Sequence, residues 1–132
     1  MWLELVPVPV SDIDRAKAFY VDKLGFKADH DTRVGDTVRI VQLTPPGSAC
    51  SIVIGSGMGE ISKMGPGSVK ALHLVVADTG KSREALLARG VGVSAMEEQG
   101  RGVKYARFSD PDGNSWVLQE IPWRSGEFGA SG

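Results

Sequence analysis

The chain repeats its punctuation at a fixed interval. Asp12 and Asp78 stand 66 residues apart, as do Pro45 and Pro111, and Gly47 and Gly113. Gly25 and Gly90 differ by 65, a one-residue indel. Each of these sites restricts the side chain for a backbone reason. Helix N-caps favour short acceptors, helix stops and tight turns favour glycine, and turn corners favour proline. Such a period within 132 residues means two copies of one supersecondary unit, which constrains the fold more than any single motif does.

The segments between these marks read alike in both copies. "LELVPVPV", residues 3–10, alternates as a strand, and Pro7 and Pro9 cannot donate to a ladder, which places it at an edge or seam. "SDIDRAKAFYVDKLG" follows as a helix capped by Ser11 or Asp12, with Ile13, Ala16, Tyr20 and Leu24 at helical spacing and Gly25 as its stop. Strands are expected at about 26–31, 37–43 and 50–55, with "TPPGS" turning between the last two. The second copy opens with "KALHLVVA", then a helix from Asp78 through "SREALLAR" to Gly90. Its strands fall at about 91–97, 103–109 and 115–121, with "DPDGN" between the last two. Two βαβββ modules result, at about 3–55 and 69–121, with a Gly- and Ser-rich linker at 56–68. They form one domain over 1–123, and residues 124–132 read as a frayed tail.

Composition narrows the function classes. A net charge of −1 gives no electrostatic case for nucleic acid or an anionic membrane. No apolar run reaches the length of a membrane span, and the first residues lack the pattern of a signal peptide. The single cysteine, Cys50, cannot form an internal disulfide and reads as a small apolar filler. The expectation is a cytoplasmic protein.

The early "VSDIDRAKAFYVDKLGF" and the late "FSDPDGNSWVLQE", set in two βαβββ modules, resemble the vicinal oxygen chelate superfamily of glyoxalases, bleomycin resistance proteins and extradiol dioxygenases. The resemblance spans about residues 3–121 and rests on capping, packing and turn motifs, so it speaks to fold more than to activity. It implies an α+β fold in which two tandem βαβββ modules form a curved mixed sheet of half-barrels around a ligand cavity, and it implies a homodimer. Enzymes of the superfamily hold one divalent metal through His, Glu or Gln. The resemblance places one ligand seven residues before each capping aspartate and another seven residues after the first residue of each turn. Here those positions are Leu5, Ala71, Ser51 and Val117. A divalent ion needs imidazole, carboxylate or thiolate donors, and a lone serine hydroxyl does not hold one. Neither a metal nor another cofactor is therefore expected. A two-residue register shift would bring His73 and Gln119 forward as a weak pair.

Alternation along strands assigns the remaining cavity face. Pro7, Pro9, His73 and Val75 go with Leu5 and Ala71, and Val53 and Gln119 go with Ser51 and Val117. The resemblance adds Arg39, Val41, Tyr105 and Arg107 as inward-facing. The candidate ligand-binding set is Arg39, Ser51, His73, Tyr105, Arg107 and Gln119, with His73 and Tyr105 also the candidate catalytic pair. Each has a plainer reading: His73 as a neutral core histidine, Tyr105 as a wall, and the arginines as partners of Asp36 or Glu120. Trp116 is expected in the core, away from the cavity. Trp2 and Trp123 are expected at an interface or as end caps, His30 in a solvated loop, and residues 97–102 in a loop able to cover the cavity. Two functions compete. One is metal-free binding, with sequestration, of a small organic molecule. The other is a metal-independent isomerase, cyclase or hydrolase with His73 as base. A metal-dependent lyase or dioxygenase fits the ligand positions less well, and a scaffold without a ligand is the fourth reading.

Overall fold

The computed structural model describes residues 1–128 and divides into two compact units. The first comprises Met1–Val69 together with Asp110–Asn114, and the second comprises Lys70–Ser109 and the described residues from Ser115 onward.

In the first unit β1 (Leu5–Pro7), α1 (Ile13–Ala18), β2 (Lys27–Val34), β3 (Val38–Thr44) and β4 (Ser51–Ser56) follow one another, and the sheet order is β1-β4-β3-β2. β1 runs parallel to β4, and the other pairs are antiparallel. β1 is shorter than the alternation predicts. Beyond Pro7, only Val8 still donates to β4, through Val53 O. The carbonyl of Pro9 turns instead to Gly67 N and the Asn114 amide. Asp12 caps α1 by accepting from Arg15 N at 3.0 Å. The helix then continues as a π-helical turn, Phe19–Lys23, before Gly25 takes φ +76°. His30 lies in β2 opposite Gln42, not in a loop.

The turn 110–114 belongs to this unit through a buried polar network. Asp110 Oδ1 accepts from the amides of Asp112 and Asn114, both at 2.9 Å. Its Oδ2 accepts from Tyr20 Oη at 2.7 Å and Asn114 Nδ2 at 2.8 Å. Asn114 also donates to Pro9 O and accepts from Val69 N. Tyr20 and Asn114 are 0% exposed and Asp110 is 5% exposed. Buried polar groups persist only when paired in this way.

In the second unit β5 (Leu72–Val75), α2 (Thr79–Ala88), β6 (Glu97–Gln99), β7 (Val103–Ser109) and β8 (Ser115–Glu120) repeat the plan, with order β5-β8-β7-β6 and β5 parallel to β8. Asp78 caps α2 through Lys81 N at 2.9 Å. The strand expected at 91–97 pairs in the ladder only from Glu97, so Glu97–Gln99 is strand where a loop was expected. Trp116 is buried and stacks on Phe108, with ring planes 5° apart, as core. Within the expected tail, Arg124–Glu127 lie in the 3-10 turn Pro122–Glu127, with Arg124 paired to Glu127. Residues 129–132 of the expected tail lie outside the described residues. The two four-stranded mixed sheets with their helices make an α+β fold of two repeated modules, and the sheets do not close into a barrel.

Candidate functional site

Cross-strand partners put their side chains on the same sheet face, so the pairing registers sort the candidates. In the first unit Arg39 pairs with Ser56, Val41 with Ile54 and Leu43 with Ile52. Arg39 reaches Asp14 of α1 at 2.7 Å, so this is the helix-bearing face. Arg39 and Val41 therefore do not look inward. Gln42 pairs with Val53 and Ile40 with Gly55 on the opposite face, and Thr44 Oγ1 meets Ser51 Oγ there at 2.6 Å. The reason for the inversion is the length of the hairpin. Eight residues lie between Leu43 and Ile52, but five between Ser109 and Ser115. A difference of three is odd, and an odd difference swaps the faces.

Arg39 is also engaged at all three of its nitrogens. Its guanidinium holds Asp31 through two bonds of 3.0 and 2.9 Å and Asp14 through a third, rather than the Asp36 expected. A pocket of about 250 Å³ opens beside it, lined by Asp14, Arg33, Asp36 and Val38 among others, on the helix side and not on the face of Ser51. The hydrogen bonds from Arg39, then that from Lys17, hold the Asp31 carboxyl far below its ordinary 3.8. A depressed folded-state pKa contributes stability above the unfolded value and loses it as pH falls through that value toward the folded one. Asp31→Asn is thus expected to destabilise the protein at pH 7 and to cost progressively less below about pH 4. Urea unfolding at the two pH values checks this, and an equal cost at both would contradict the pairing.

In the second unit His73 pairs with Val117, Val75 with Gln119, Arg107 with Val117 and Tyr105 with Gln119. Thr79 of α2 bonds Glu120 and the Lys104 carbonyl on the other face. His73, Tyr105, Arg107 and Gln119 thus share the face turned away from the helix, around Val75 and Val117. The parallel register also corrects the ligand count. Leu5 opposes Ser51 in the first unit, yet it is His73, not Ala71, that opposes Val117 in the second. His73 precedes Asp78 by five residues where Leu5 precedes Asp12 by seven. Ala71 lies before the strand with φ +58°, a left-handed conformation that ends the alternation. The four register-equivalent positions are Leu5, Ser51, His73 and Val117. Neither unit's pair fits a divalent ion: Leu5 and Ser51 offer a hydrocarbon side chain and a hydroxyl already bonded to Thr44, and His73 and Val117 offer a single imidazole. Among the described residues no three His, Cys, Asp or Glu side chains group to hold a metal.

His73 is exposed, not a core histidine. Its Nδ1 lies 2.7 Å from Ala71 O. A carbonyl only accepts, so Nδ1 carries the proton and Nε2 is left with a lone pair in the neutral ring. The His73 and Tyr105 rings meet edge to face, centroids 6.4 Å apart. Their strands are separated by β8, roughly twice the 4.8 Å strand spacing apart, so both rings lean over the strand between them. Val117 beneath is 1% exposed. Gln119 Nε2 donates to Tyr105 Oη at 3.4 Å. Arg107 stands at the rim, 3.8 Å from Glu97 and not from Glu120. The result is an apolar floor with a small set of placed hydrogen-bonding groups, the usual make-up of a small-molecule site.

The family model described as the Glyoxalase/Bleomycin resistance protein/Dioxygenase superfamily matches residues 2–118. Among solved structures, the chain is similar to TnmS3, an antibiotic binding protein from Streptomyces sp. CB03234, at 35% identity, TM-score 0.80, covering 91% of this chain and 95% of that one. It is similar to a glyoxalase/bleomycin resistance protein from the same Streptomyces at 36% identity, TM-score 0.75, covering 89% and 98%. A superfamily member from Sphaerobacter thermophilus DSM 20745 is 29% identical, TM-score 0.79, covering 92% and 98%. No curated protein matches the chain.

Proposed function

We propose that this chain, which belongs to the Glyoxalase/Bleomycin resistance protein/Dioxygenase superfamily, binds and sequesters a small organic molecule without a metal. The molecule lies on the face of the second unit that carries His73, Tyr105, Arg107 and Gln119. The observation that carries this reading is the His73–Tyr105–Gln119 group leaning over Val117, with the Nε2 lone pair of His73 left for a ligand. The likeness to an antibiotic binding protein at 35% identity supports it. So does the lack of a donor at Val117 opposite His73, since a face without a chelate must hold its ligand by packing and hydrogen bonds. Tyr105 closes the face as a wall, and Arg107 meets the ligand's more polar edge at the rim.

The test is a thermal-shift screen of aromatic antibiotics with protein treated with EDTA, since a ligand that binds only the folded state raises Tm by mass action. Binding is expected to survive chelation, and His73→Ala is expected to weaken the best ligand by about tenfold. Loss of all binding on chelation, with recovery on adding zinc, would overturn the metal-free reading. We also read the protein as a cytoplasmic homodimer. Trp2 is 77% exposed and offers apolar surface for a partner copy, and a lone free cysteine suits a reducing compartment. Sedimentation equilibrium giving a monomer at micromolar concentration would sink the dimer.

A further inference from the structure

We infer that the molecule held on this face carries a hydrogen-bond donor and a hydrogen-bond acceptor on one flat, apolar frame, as an aromatic hydroxy-ketone does. This rests on the reading of the face as a small-molecule site and goes on to name the ligand chemistry. The hydrogen bonds already made on the protein fix the polarity of those it leaves open. His73 spends its Nδ1 proton on Ala71 O, so Nε2 accepts and selects a donor. Tyr105 Oη receives the amide proton of Gln119, so its single O–H points elsewhere and selects an acceptor. Neither Nε2 of His73 nor the O–H of Tyr105 has a partner among the described residues. The two rings are held edge to face, so the donor and the acceptor they call for lie on one rigid body. Beneath them the face is valine, Val75 and Val117, which favours a flat hydrocarbon surface over a charged one. A group bearing only acceptors, such as a quinone without a hydroxyl, leaves the lone pair of His73 unmet. A methyl ether in place of the hydroxyl does the same.

The probes are 3-hydroxyflavone, 3-methoxyflavone and flavone, three planar molecules that share a carbonyl and differ in the neighbouring donor. Titrated with EDTA present, the protein is expected to bind 3-hydroxyflavone about tenfold more tightly than the other two. His73→Phe is expected to reduce that preference to within about twofold, whereas Tyr105→Phe, which removes the donor to the shared carbonyl, is expected to weaken all three probes alike. Both side chains stand on the sheet face, so circular dichroism of both variants is expected to match the parent. The emission of 3-hydroxyflavone supplies a second readout, because its internally hydrogen-bonded and opened forms emit in separate bands. The band of the opened form is expected to grow on binding to the parent protein and not to His73→Phe. Equal affinity for all three probes would overturn this inference while leaving the face a small-molecule site. A preference that persists in His73→Phe would overturn it too. No binding of any of the three at solubility-limited concentrations, where antibiotics in the thermal-shift screen do bind, would likewise overturn the inference alone. No binding in either experiment would remove the underlying reading.

Discussion

Asp110→Ala is expected to destabilise the protein by about 3 kcal/mol or more, the largest effect of any single substitution considered for this fold. One carboxylate accepts from Tyr20 Oη, Asn114 Nδ2 and the amides of Asp112 and Asn114. Removing it leaves four donors without that partner. Tyr20 and Asn114 sit at 0% exposure, where water does not reach to compensate. Each orphaned buried donor costs about 1–3 kcal/mol, and local relaxation recovers part of that sum. Tyr20→Phe removes one donor and leaves the carboxylate three others, so it is expected to cost only about 1 kcal/mol. Urea unfolding of the parent and both variants checks the ranking. A cost for Asp110→Ala no greater than that of Tyr20→Phe would show that the network does not act as a unit.

The second large effect falls in a stretch that reads from composition as a linker. Gly67 has φ +79°, and a Cβ built there lies 2.1 Å from the carbonyl oxygen of Asp112. Its amide also donates to Pro9 O at 3.2 Å. Gly67→Ala must strain a left-handed backbone and push against main chain, which cannot step aside as a flexible side chain does. The expected loss is about 2–4 kcal/mol. Gly59→Ala is the control. It shares the sign of φ, at +61°, but a Cβ there meets nothing within 4 Å. Its expected cost is therefore the backbone strain alone, about 1 kcal/mol. Thermal unfolding of the two variants separates strain from collision, and equal shifts in Tm would refute the collision.

These two substitutions locate what could be read along the chain. The turn "DPDGN" is legible as a turn because Asp, Pro, Gly and Asn each suit one corner of it. That its first aspartate accepts from Tyr20, 90 residues earlier, and its asparagine donates to Pro9, 105 residues earlier, is not legible. Nothing in local spacing encodes a partner at that distance. The same division runs through the candidate site. Val117 and Gln119 share one face of β8, legible as a fixed count after a turn whose geometry is local. Tyr105 and Arg107 followed because the hairpin behind them closes tightly, with five residues between Ser109 and Ser115. Arg39 lies on the helix-bearing face because the corresponding hairpin of the first unit differs in length by an odd number of residues, and composition does not reveal parity. Ala71 stood in for His73 because the second strand-to-helix connection is two residues shorter.

By itself, then, the sequence determined the repeat, the α+β class, the capping aspartates and the turns, all set by backbone preferences within a few residues. Only the tertiary structure decided which residue opposes which across a ladder. A strand repeats every two residues, so a one-residue change in a loop turns a whole strand over and a two-residue change slides it along. Pairing across strands resolves both, and it is pairing that brought His73 over Val117 and took Arg39 away to Asp14 and Asp31.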